Sequence, residues 1–166
     1  MIKNALLTCL ILTLISGCAT TYRQNSFING GGFSEVELAP NYFKVSFSGN
    51  EVTSKEKVKD FAILRASDLM LARNCSSFQV MKTSDNSSSG QYFVPQTQST
   101  NANVSVYGNS AYGNSTTTTY GCGLVNVQYP KITIEVQCSQ EKWDISKGIY
   151  DTKFINESLK EKYKIK

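Results

Sequence analysis

Between Asn86 and Pro130 the chain carries no charged residue. Ser, Thr, Asn, Gly, Gln and Tyr dominate there, as in "VSVYGNSAYGNSTTTTYG" over 104–121. Such a composition buries little apolar surface, so the segment cannot supply a core of its own. A compact fold must come from the residues on either side, which have to meet across an insertion at about 84–121. The composition favours a loop with strand-like ends. A long hairpin arm is the alternative, because Val104 and Val106 alternate and Thr116–Thr119 favour strand. Tyr92, Tyr107, Tyr112, Tyr120 and Tyr129 set aromatic rings among small polar residues, a mixture suited to adaptable contacts. Tyr107, Tyr112 and Tyr120 are therefore candidate partner contacts. A solvated segment with no partner is the plainer alternative.

The flanks are patterned. In "NYFKVSFSGN" (41–50), Phe43, Val45 and Phe47 alternate with polar residues, which predicts a half-buried strand ended by Gly49-Asn50. Thr53 with Glu56 three residues later is a capping box, and a helix should run over about 54–74. At 100° per residue, Val58, Phe61, Ala62, Leu69 and Ala72 share one face, flanked by Leu64 and Ala66. "FQVMK" (78–82) reads as the next strand. "KITIEVQC" (131–138) is a strong strand, and "GLVNVQY" (123–129) is its expected partner, with Val127 opposite Ile132 and Val125 opposite Ile134. Asp151 caps a helix over about 152–163, with Ile155, Leu159 and Tyr163 on one stripe. The order strand, helix, strand, insertion, two strands, helix predicts an α+β domain. Its helices, one long and one C-terminal, would lie on one face of a small, mainly antiparallel sheet.

The N-terminus has a different character. Lys3 precedes "ALLTCLILTLI", and the small residues Ser16 and Gly17 follow. This is the layout of a secretory signal. Eleven helical residues rise only about 16 Å, against a hydrocarbon core of about 30 Å, so the run is too short to span. Ile15-Ser16-Gly17-Cys18 resembles the cleavage box of bacterial lipoproteins. The resemblance implies a diacylglyceryl group on the Cys18 sulfur, cleavage before Cys18 and acylation of the new amine. Two or three chains hold a protein firmly, where one binds only marginally. The non-acidic Ala19 resembles the sorting signal for the outer membrane, which implies a lipid-anchored protein on its periplasmic face. The division expected is a signal peptide over 1–17, a lipidated tether over 18–33 containing the triple glycine, and one domain over 34–166.

Losing residues 1–17 removes one cation, Lys3, and takes the net charge from +4 to +3. That is mild and has no clustered stripe, so nothing points to nucleic acid. The cysteine arithmetic also changes. Of five cysteines, Cys9 leaves with the signal and Cys18 is lipidated. Cys75, Cys122 and Cys138 remain in an oxidising compartment, so one disulfide and one leftover thiol is the simplest outcome. The hydrophobic register sets Gly121, not Cys122, opposite Cys138, which favours a Cys75–Cys138 bridge. A Cys122–Cys138 bridge, symmetric about Pro130, stays open.

The block over 31–80 resembles a family of small Gram-negative envelope lipoproteins of uncharacterised function. The residues that carry the likeness are Gly32-Phe33-Ser34 with Leu38, Phe43-x-Val45-x-Phe47-x-Gly49-Asn50, and "VKDFAILRASDLML" with Leu64-Arg65-Ala66 at its centre. Ile149-Tyr150-Asp151 resembles the family's C-terminal end. The middle of the chain does not match, and members usually lack a cysteine such as Cys75. The resemblance implies an envelope location and a small α/β fold. It brings no activity with it.

Few residues offer chemistry. Without histidine neither a Ser-His nor a Cys-His pair can form, three thiols alone make a poor zinc site, and no cofactor motif is present, so an enzyme is not expected. Arg65 is the oddest residue, because its helical angle falls inside the apolar arc. It either grips a carboxylate, phosphate or partner peptide, or packs its stem on the core with its head reaching solvent or Asp68. Gly49-Asn50 reads as turn chemistry, and Asp60 and Asp68 as solvated helix charges. Two functions follow. The first is a structural or interaction component of the envelope, contacting the membrane through its anchor and an unidentified envelope protein or glycan. The second is a sensor whose state depends on a thiol among Cys75, Cys122 and Cys138.

Overall fold

The computed structural model describes residues 19–26, 30–121 and 123–166. The expected signal over 1–17 (with Cys9), Cys18 and Cys122 lie outside the described residues. Among the described residues, nine strands and two α-helices follow in the order β1 (Gly32–Ala39), β2 (Tyr42–Ser48), α1 (Lys55–Ala72), β3 (Ser77–Asp85), β4 (Ser88–Val94), β5 (Thr97–Tyr107), β6 (Ser110–Tyr120), β7 (Gly123–Tyr129), β8 (Lys131–Ser139), β9 (Ile149–Asp151) and α2 (Thr152–Tyr163). The architecture is α+β. Two compact units are present. One reaches to Ser88 and resumes at Gln128; the other is Ser89–Val127.

The first unit is a five-stranded sheet of order β1-β2-β8-β3-β9, antiparallel throughout. Its centre is the β2–β8 pair, where Phe43, Val45 and Phe47 stand opposite Val136, Ile134 and Ile132. All six are buried. Period-two alternation in both strands aims these side chains at one face, and α1 packs there with Val58, Phe61, Ala62 and Leu64. Ile63 and Met70 are buried as well, while Ala72 is exposed. The buried arc is therefore wider than one stripe. The reason is that α2 packs against α1 beside the sheet, bringing Leu159 into the core with Ile155 and Tyr163 at its margin. Asp151 caps α2 as expected, its side chain accepting from the Phe154 N–H at 2.8 Å.

The cap of α1 sits one residue later than the capping box implied. Ser54 is the N-cap and accepts from the Lys57 N–H at 3.2 Å. Thr53 is buried and occupied elsewhere. Its Oγ1 donates to the Asn50 side chain at 2.5 Å and accepts from the Thr20 N–H at 2.9 Å. This overturns the tether over 18–33 for the part described. Thr20 is buried, and Tyr22 packs on the rings of Phe33 and Phe61 at 5.0 and 5.5 Å. The glycines allow this close approach. A Cβ at Gly31 would stand 2.5 Å from the Ser48 carbonyl oxygen, and one at Gly32 2.5 Å from that of Arg23. Both residues have positive φ, where a side chain would add strain. The domain thus begins well before residue 34, and β1, absent from the sequence reading, is its edge strand.

The β7–β8 hairpin does not form either. β8 has β2 on one side and β3 on the other, so no edge is left for β7, which pairs with β4. Matching apolar faces suggested the hairpin, but both edges of β8 are taken by β2 and β3, whose own apolar residues Phe43, Val45, Phe47 and Phe78 complete the buried face.

In the second unit the insertion is strand rather than loop. β5 and β6 form a hairpin whose eleven residues pair without a register shift from Thr97↔Tyr120 to Tyr107↔Ser110. The two-residue turn places Gly108 at φ 58°, the left-handed first position of a hairpin turn that only glycine takes without cost. A threonine- and serine-rich chain buries little, yet alternation and β-branching are enough to keep it extended once such a turn closes it.

Candidate functional site

Three surfaces and one internal cluster contain the candidate residues. The internal cluster forms where β1 crosses α1. Arg65 donates from Nη2 to Glu35 Oε1 at 2.7 Å, and its guanidinium lies 4.3 Å from the Phe33 ring centre. Both charged side chains are about a quarter exposed. Of the partners open to Arg65, a carboxylate is the one met, and it is Glu35 rather than Asp68. Asp68 accepts from the Tyr22 hydroxyl at 2.5 Å and from Asn156 Nδ2 at 2.7 Å, and pairs with Lys160 at 3.1 Å. Burial, then the adjacent Asp68 carboxylate, pushes the Tyr22 phenol well above its ordinary value. Arg65 thus uses its charge to hold the edge strand on the long helix, and Asp68 ties the N-terminal segment to α2. Asp60 is not merely solvated, since it accepts from Lys162 and Tyr163, both at 2.8 Å. Gly49 sits where a Cβ would come within 2.9 Å of Thr53 and Val58, so Gly49-Asn50 is a packed turn beneath the helix start.

Cys75 and Cys138 are joined, the pair that the sequence favoured, although the β7–β8 register that argued for it is absent. The real cause is local. At the end of α1, Asn74 takes φ 57° and the Cys75 N–H returns to the Met70 carbonyl at 2.9 Å, a left-handed helix stop. That turn sets Cys75 just before β3, beside Cys138, which pairs with Phe78.

The first surface is the arm. Every described side chain of β5 and β6 is exposed. Tyr112 and Tyr120 are 71% and 61% exposed; for Tyr107 the backbone position opposite Ser110 is defined. One face presents Ala102, Val104, Val106, Ala111 and Gly113, and the other presents Asn101, Asn103, Tyr112 and Asn114, by strand alternation. Arg65 and these tyrosines belong to different compact units.

The second surface is the sheet face away from the helices. Lys44 and Lys82 flank Glu135 in register on neighbouring strands, and Tyr42 donates to Glu135 at 2.8 Å. Lys44, Lys82 and Glu135, with Lys131, Ser46 and Thr133, line a shallow polar depression of about 350 Å³. The third is an apolar cleft of about 360 Å³ between Trp143, Ile145, Tyr150, Phe154 and Ile155. Trp143, Ile145 and Phe154 are more than half exposed. Sequence reasoning passed over this cleft; its signal was an unpatterned Trp143-Asp-Ile145 before the last helix. No cluster of three acidic or cysteine side chains placed to hold a metal occurs among the described residues. Nor is any described helix long and apolar enough to cross a membrane.

No family model, curated protein or solved structure matches the chain.

Proposed function

We propose that the chain is a lipid-anchored envelope protein of the outer membrane, facing the periplasm, that works by contact rather than by catalysis. The observation that carries the contact reading is the arm. A disulfide-bridged α+β unit contains the buried hydrophobic core of the described residues, while a long uncharged hairpin displays all its described side chains. A chain that spends this much sequence on exposed, ordered, uncharged strand is displaying a surface. The anchor reading rests on Ile15-Ser16-Gly17-Cys18 and the short apolar run before it. Thr20 is buried two residues after Cys18. Two extended residues reach about 7 Å, so a lipid on Cys18 would hold the domain close to the bilayer, with no free tether. Burial of Cys75 favours a structural bridge over a thiol that senses its surroundings.

Metabolic labelling with an alkyne fatty acid, followed by membrane fractionation, tests the anchor. Wild-type chain should carry label and sediment with outer membranes, and Cys18→Ser should do neither. An unlabelled wild-type chain rejects the anchor and leaves the contact reading to be tested separately at the arm.

A further inference from the structure

We propose that the β5–β6 arm pairs edge to edge with the same arm of a second copy of this chain. The proposal deepens the contact reading above and does not require the lipid anchor.

Among the described residues the hairpin is a two-stranded sheet, so each of its long strands has one edge that no described strand pairs with. In a two-residue hairpin the pair that closes the turn exchanges both hydrogen bonds, and pairs alternate from there. Counting back from Tyr107↔Ser110, the outward N–H and C=O groups fall at Thr100, Ala102 and Val104 on one edge. On the other they fall at Gly113, Ser115 and Thr117. Proteins block such edges with charges, prolines, bulges or very short strands. Between Thr97 and Tyr120 there is no charge and no proline, and the register has no bulge. The edges are long, regular and open. A lone two-stranded hairpin is marginal in water, and further strands are what make such a sheet stable. With every described side chain exposed, the arm lacks a core to lean on, so added strands are its available source of stability.

The character of the edges selects the partner. They carry no charges with which to recognise a foreign side chain. Two identical uncharged edges meet without like-charge repulsion, the obstacle that ordinarily keeps copies of one chain apart. The side chains also suit self-pairing. Thr100 and Thr117 already share a hydroxyl contact at 3.0 Å across the hairpin, and rows of Ser, Thr and Asn extend that ladder when like strands are added. The small-residue face, Ala102, Val104, Val106, Ala111 and Gly113, stays continuous from copy to copy. Pairing β5 to β5 or β6 to β6 is two-fold about each contact and gives a dimer when only one of the two edges is used. Pairing β5 to β6 repeats and builds a ring or a longer sheet.

The test is photo-crosslinking of the full chain in intact cells. The chain carries p-benzoylphenylalanine at Asn103, at Thr116 or, as a control on α1, at Lys59. Adducts are separated under reducing conditions so that no thiol contributes. The expected result is adducts at multiples of the chain's own mass from the two arm positions and none from Lys59. Adducts with a different protein alone would overturn self-pairing and leave the contact reading standing. No adduct from either arm position would overturn both. A second variant carries Asn103→Lys and Thr118→Lys, which are not partners within the hairpin. It should lose about tenfold or more of the Thr116 self-adduct, because like charges brought together across an interface are strongly unfavourable. An intact Cys75–Cys138 bridge and an unshifted melting curve would certify its fold. An undiminished self-adduct in that variant would overturn the proposal.

Discussion

At the scale of single residues, Arg65 and Tyr22 explain why an edge strand and an N-terminal segment stay in place. A charge on the core side of a helix is tolerable when a carboxylate meets it, and Glu35 does so. Arg65→Met should therefore leave Glu35 half-buried and unpaired, at a cost of about 2 kcal/mol. Adding Glu35→Gln should restore part of that loss. Urea unfolding of both single variants and the double variant measures the coupling. Tyr22 gives a pH dependence. Its folded-state pKa lies above the ordinary 10.0 because of burial and Asp68. A raised pKa means that its contribution is complete below pH 10 and fades as pH rises past it, since the unfolded chain ionises first. Lys162, held charged by Asp60 and Glu56, shifts the same way. Stability should fall between about pH 10 and 12, and Tyr22→Phe should flatten the slope in unfolding curves taken across that range.

At the scale of elements, α1 and the arm behave oppositely. The long helix starts with two hydroxyl residues that do different jobs. Ser54→Ala removes a cap and should cost about 1 kcal/mol. Thr53→Val strips a buried partner from the Thr20 N–H and should cost more, about 2 kcal/mol. Denaturant titration of the two variants ranks them; equal or reversed costs would mean that Thr53 is the cap after all. The arm contributes none of the buried core residues. Replacing 95–122 by a two-residue Asn-Gly turn joins β4 (ending at Val94) directly to β7 (starting at Gly123), which already pair. The shortened chain should keep its stability within about 0.5 kcal/mol, as judged by thermal unfolding.

At the scale of the whole molecule, the Cys75–Cys138 bridge closes a loop with a sequence separation of 63, one that encloses the entire insertion. Constraining so long a loop in the unfolded chain is worth about 4 kcal/mol in the chain-entropy account. Cys138→Ser should lower the melting temperature by about 10 °C, given the size of the chain. Calorimetry with and without reductant checks it, and the reduced wild type should match the variant. The bridge and the long helix together let the two flanks of the insertion meet at β3 and β8 whatever the arm does.

The alternation of Phe43, Val45 and Phe47, the run over 131–138, the arc of α1 and the Asp151 cap were legible because each is a local pattern with a local cause. These determined an α+β chain whose helices cover one face of a sheet. What the sequence left undecided was non-local. β8 has two edges, and periodicity fixes which way its side chains point but not which strands win those edges. Gly30-Gly31-Gly32 reads as a flexible joint until Ser48 and Arg23 are seen pressed against it. Arg65 offered several partners, and only the crossing of β1 over α1 chose Glu35. Tertiary packing decided these points because strand pairing, glycine contacts and ion pairs depend on which residues distant in the chain arrive together.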